Sequence, residues 1–135
     1  MSQATHPGWR IHTACHEFVV TKYYMLLLVG PSTSSSPTNA HGVGGPLWIW
    51  IGDNAAEFGP LALSFPPTLN SPTPLATTTQ LLGFAANDPG HQISARLAKR
   101  YRRPVYVSYN ISAQANSELV LFLEKSLIAE LRQIV

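Results

Sequence analysis

Three residues near the start of the chain carry side chains that could build a metal or thiol site: His12, Cys15 and His16. Imidazole and thiolate are zinc ligands, and a thiol beside an imidazole can serve as a nucleophile. The spacing argues against both uses. Side chains alternate along a strand, so His12 and His16 share one face while Cys15 points away. No fourth ligand lies nearby, and a chain with five His offers a Cys–His pairing by composition alone. Ordinary structural roles are the expectation. Gly42-Val43-Gly44-Gly45 lacks the Lys-Ser/Thr of a phosphate-binding loop and runs into Pro46 rather than a helix start. The seven carboxylates are scattered, which leaves no acid–base pair. The sequence thus predicts no catalytic residue, no metal and no cofactor.

The residue types that do concentrate suit binding. Arg96, Lys99, Arg100, Arg102 and Arg103 place five of the nine basic side chains within eight residues. At a helix C-terminus such cations complement the dipole and are solvated. They could equally steer an acidic partner, where charge complementarity mainly raises the encounter rate. Trp48, Trp50 and Tyr106 are large aromatics on strand-like segments. With the basic helix and Tyr109 they could stack bases of single-stranded RNA, a rival reading from a different class. These eight residues, the three aromatics and the five cations, are the candidate partner-binding set.

The elements that position them are clearest from Thr77 to Ile111. Asp88 can accept from free backbone N–H groups and Pro89 suits the first helical position, so a helix opens there. Ile93, Leu97 and Tyr101 recur every four residues with Ala98 beside them, forming one apolar face, and Pro104 stops the helix. Val105, Val107 and Tyr109 then alternate with Tyr106, Ser108 and Asn110 as a strand. Upstream, Thr13 to Val20 and Tyr23 to Val29 read as strands, the second apolar on both faces. Leu47, Ile49 and Ile51 alternate with Trp48 and Trp50, Leu61 to Phe65 forms another strand, and Thr77 to Leu82 a further one. Asn116 or Ser117 caps a last helix running to about Ile134, with Val120, Leu123, Leu127, Leu131 and Ile134 as its stripe, widened by Leu119 and Phe122. Two stretches rich in Ser, Thr, Gly and Pro, about 30–46 and 66–76, read as flexible loops.

This inventory is α+β: a mainly antiparallel sheet of about six strands with two helices packed on one face. Two helices cannot cover both faces. Fully burying one large apolar side chain stabilises by roughly 1.5–3 kcal/mol. Several left in water forfeit an amount comparable with the ~5–15 kcal/mol stability of a whole domain. A partner surface against Trp48 and Trp50 is therefore expected. The alternative is that both loops fold back over the sheet.

The whole chain of 135 residues, 45% hydrophobic, fits a single domain, 1–135. Charged residues make up 12% and the net charge is +2, which argues against a protein dominated by phosphate contacts. One Cys excludes an internal disulfide framework and suits a reducing compartment such as cytoplasm or nucleus. The first residues, MSQATHPGWR, lack the apolar run of a signal peptide. Tyr23 to Val29 is far short of the roughly 20 residues that span a bilayer.

The order LLG, an Asp-containing turn, then ARLAKRYRRPVYVSYN resembles the proteasome assembly chaperone 4 family, as does PLWIWIGDNAAEFGPLAL before it. The similarity spans about 47–135 and suits a divergent member, fungal-type or other. Leu81, Leu82, Arg96, Leu97, Ala98 and Val105 to Asn110 match the family pattern, mainly as fold signature. The resemblance implies a non-enzymatic chaperone for 20S proteasome assembly. It would pair as a heterodimer with proteasome assembly chaperone 3, bind α-type subunits to promote the α-ring, and leave as β-type subunits arrive. The expected location is cytoplasmic and nuclear, with no nucleic-acid or membrane partner.

Overall fold

The computed structural model describes residues 8–31, 45–68, 75–111 and 116–135, with the backbone of 2–6. Both proposed loops fall largely outside the described residues, at 32–44 and 69–74. Among the described residues there are seven strands and two α-helices: β1 (Ser2–His6), β2 (Trp9–Phe18), β3 (Thr21–Val29), β4 (Leu47–Gly52), β5 (Leu61–Phe65), β6 (Thr77–Leu82), α1 (Pro89–Tyr101), β7 (Val105–Asn110) and α2 (Ser117–Ile134). They form one sheet in the order β1-β2-β3-β4-β7-β5-β6. Among these strands only β4 and β7 pair in parallel; the other pairings are antiparallel. A parallel pair needs a long crossover. Here the connection from β4 to β7 carries β5, β6 and α1.

The α+β class and the two helices on one face are as expected. The extra strand is β1, formed by residues with too little apolar content to signal a strand, and it sits at the sheet edge. The reading of Thr13 to Val20 as a strand also needs correction. The strand ends at Phe18, and Val19 and Val20 form the two-residue turn into β3 with φ of 46° and 59°. β-branched residues favour strands, so local propensity pointed the wrong way; the register from Phe18–Thr21 through Arg10–Val29 imposes the turn.

Local chemistry sets the helix ends. Asp88 accepts from Gly90 N at 2.9 Å, and Pro89 occupies the first turn. Asn116 caps α2 by accepting from Glu118 N at 2.9 Å. α1 lies over β7, β5 and β6, and α2 packs on β2. Between helices and sheet, Met25, Leu27, Ile49, Ile51, Val105 and Val107 meet Ile93, Leu97, Leu123, Leu127 and Leu131, all buried. Among the described residues no helix is long and apolar enough to cross a membrane.

Candidate protein-interaction site

The side of the sheet away from the helices carries an apolar row. Register places Ile11 opposite Leu28, Leu28 opposite Trp48, Trp48 opposite Tyr106, and Tyr106 opposite Leu63. Five strands contribute one side chain each, and at about 4.8 Å between strands the row is roughly 19 Å long. All five are half-buried, whereas their strand neighbours on the helix face, such as Leu27, Ile49 and Val107, are buried. Among the described residues the helices cover β3 on one face only, and the other face its sequence marks as apolar is half-buried. Leu26 and Trp50 extend the surface, while Trp9 and Phe65 at its margins are 40% and 47% exposed.

The aromatic pair at the centre is ordered by its surroundings. Trp48 and Tyr106 stack with ring centroids 4.7 Å apart and 25° between planes. Trp50 donates from Nε1 to the Glu57 carbonyl at 3.0 Å, and its ring lies across Gly52, where an added Cβ would come within 2.2 Å of Cη2. An aromatic ring fixed in advance loses little entropy on binding, which suits it to be an interface anchor.

The five cations lie elsewhere. Arg96, Lys99 and Arg100 are exposed on α1, on the helical side of the sheet. Arg96 donates from Nε to Glu124 Oε2 at 2.8 Å and from Nη2 to Oε1, and this carboxylate holds its pKa above the usual value. Arg100 sits 5.8 Å from the centroid of the Tyr101 ring. Arg102 is the left-handed C-cap of α1, donating its N–H to Ala98 O at 3.0 Å. Arg103 is half-buried, its Nε without a partner, and burial followed by the charge of Arg10 lowers its pKa. The eight candidates therefore split: Trp48, Trp50 and Tyr106 share the open face, and the cations occupy the helix layer and the turn after it. This removes the geometry of the RNA reading, which needed aromatics and cations on one surface. Tyr109 is buried on the helix face as well.

His12 and His16 do share a face, and Cys15 is exposed away from them. What the sequence reading lacked is Glu130, buried on α2. His12 Nε2 lies 2.6 Å from its Oε2, and His16 Nε2 lies 3.0 Å from its Oε1. The carboxylate ties the last helix to β2. The two imidazoles four residues apart on one strand were the available signal. Among the described residues no group of three or more His, Cys, Asp or Glu is arranged to hold a metal ion.

The fold is thus a sheet with helices on one side and, on the other, an apolar row with a stacked aromatic pair at its centre. The sequence profile of the family described as Proteasome assembly chaperone 4 matches residues 44–111. The chain belongs to the proteasome assembly chaperone 4 family. Among solved structures, it is similar to a chain from the crystal structure of a novel chaperone complex for yeast 20S proteasome assembly. The TM-score is 0.65 and the identity 14%, over 93% of this chain and 96% of that one, a likeness of fold. No curated protein matches the sequence significantly.

Proposed function

We propose that this protein is a chaperone for 20S proteasome assembly, acting as a heterodimer with a proteasome assembly chaperone 3-like partner. The pair binds α-type subunits and promotes formation of the α-ring in cytoplasm and nucleus. The observation that carries this reading is the half-buried row Ile11, Leu28, Trp48, Tyr106 and Leu63. A contiguous apolar face of this kind marks an association surface, and the family supplies its context. The protein works by sheltering and aligning intermediates, without ATP or covalent chemistry.

A tagged protein expressed in its source cell tests the proposal. Co-recovery of a second small chaperone and α-type subunits is expected. Leu28→Asp with Trp48→Asp should release the small chaperone while circular dichroism shows a folded chain. A strictly monomeric wild type that recovers neither class of protein, and binds no hydrophobic dye, would count against the reading.

A further inference from the structure

The helix layer carries a groove on the side opposite the open sheet face. Between the starts of α1 and α2 lies a cavity of about 580 Å³, with Ala85, Pro89, Val120 and Leu121 on its apolar wall and polar side chains, Asn87 and Gln92 among them, on the rest. A second hollow of about 410 Å³ is lined by Leu97, Lys99, Arg100 and Ile128. The two share Arg96 and Glu124, whose ion pair links the helices midway along. An apolar side chain reaches water here: Leu121, on the wall of the larger hollow, is 55% exposed.

The charges select the occupant. Arg96 consumes the carboxylate of Glu124, leaving Lys99 and Arg100 with no ion pair among the described residues. Asp88, at the other end, is buried and its oxygens accept from Gly90 N and Gln80 Nε2, so it adds little repulsion at the surface. The groove therefore offers a hollow with an apolar wall and a polar one and, past the Arg96–Glu124 pair, two cations that make no ion pair among the described residues. A nucleic acid would need a longer run of cations and exposed stacking surfaces.

We propose that this groove seats an acidic segment of the α-type proteasome subunit, with a large apolar side chain in the hollow and carboxylates against Lys99 and Arg100. This rests on the reading of the protein as an assembly chaperone, and it assigns the client to the helix layer and the partner chaperone to the sheet. The two surfaces lie on opposite sides of the sheet, so both can be occupied together.

The heterodimer, purified intact, would be screened against overlapping peptides that tile the α-type subunits of its source cell, with a single-stranded oligonucleotide in parallel. Peptides rich in Asp and Glu around a Leu, Ile or Phe should bind, more weakly as salt rises. Lys99→Glu with Arg100→Glu, and separately Leu121→Asp, should each weaken the best peptide about tenfold or more while leaving the heterodimer intact. Affinities unchanged in both variants would overturn the proposal, as would binding of peptides without acidic character, or of the oligonucleotide alone. Capture of whole α-type subunits with no binding peptide, undiminished in the variants, would also overturn it and leave the chaperone reading standing. Failure to capture any α-type subunit would remove both.

Discussion

Glu130 and His12 are 118 positions apart in the chain and lie 2.6 Å apart in the fold, with His16 at 3.0 Å on the other carboxylate oxygen. A buried carboxylate is tolerated only where donors satisfy it, and removing it leaves a buried imidazole without its partner. Glu130→Ala should therefore destabilise the chain by about 2–4 kcal/mol, with Glu130→Gln costing less because it keeps an acceptor. Urea unfolding measures this. An unchanged midpoint for Glu130→Ala would mean that α2 is held by its apolar stripe alone.

The apolar stripe was legible in the sequence, and Glu130 was not, for one physical reason. Periodicity reports which face of an element is buried, and caps such as Asp88-Pro89 and Asn116 report where it begins, because both act within a few residues. A buried carboxylate gives no such local sign; its justification is on β2. The same limit applies to the candidate binding set. Alternation placed Trp48 and Trp50 on one strand face, but whether the basic helix lies above or below them depends on where the β4-to-β7 crossover puts α1. The aromatic half of the set lies on the open sheet face, and the basic half on the helix layer and the turn after it.

The turn at Val19 and Val20 is the clearest conflict between local preference and fold. Both residues have positive φ, 46° and 59°, and are 75% and 89% exposed. β-branched side chains are strained in this region, whereas two-residue hairpin turns favour Asn-Gly. No packing is lost by replacing them. Val19→Asn with Val20→Gly should stabilise the protein by about 1 kcal/mol. A rise of a few degrees in Tm is the expected readout, about 2–4 °C for a domain somewhat larger than this one. A fall in Tm would show that the valines contribute a contact that outweighs their strain.

Gly52 should prove a gatekeeper of the open face. A methyl group there would meet the Trp50 ring at 2.2 Å, so Gly52→Ala must displace the indole and break its bond to the Glu57 carbonyl. The expected cost is about 1–3 kcal/mol of stability, in the range of overpacking. The indole should become more exposed, with a red shift in fluorescence, and partner affinity should fall. Trp50→Phe in the Gly52→Ala background should recover part of the stability, since the smaller ring leaves room. An unshifted emission spectrum with native stability would contradict the described contact.

Tyr109 makes the fold sensitive to alkali. Its pKa is raised to about 12, first by burial, then by Tyr23 and Asp88 nearby. The neutral phenol is the form the folded chain accommodates. In the unfolded chain the group ionises near pH 10, so between about pH 10 and 12 the unfolded state binds fewer protons than the folded one. Stability from this group is thus fully present below pH 10 and is lost as pH rises towards 12. Tyr109 borders a hollow beside Pro60 and Ile111, and discounting the shift for solvent screening leaves a loss of about 1–2 kcal/mol across that window. Tyr109→Phe removes the ionisable group and the dependence with it. Chemical denaturation of both proteins at pH 9 and pH 11 makes the comparison: the wild type should weaken relative to the variant. Equal losses in the two would place the alkaline sensitivity in another residue.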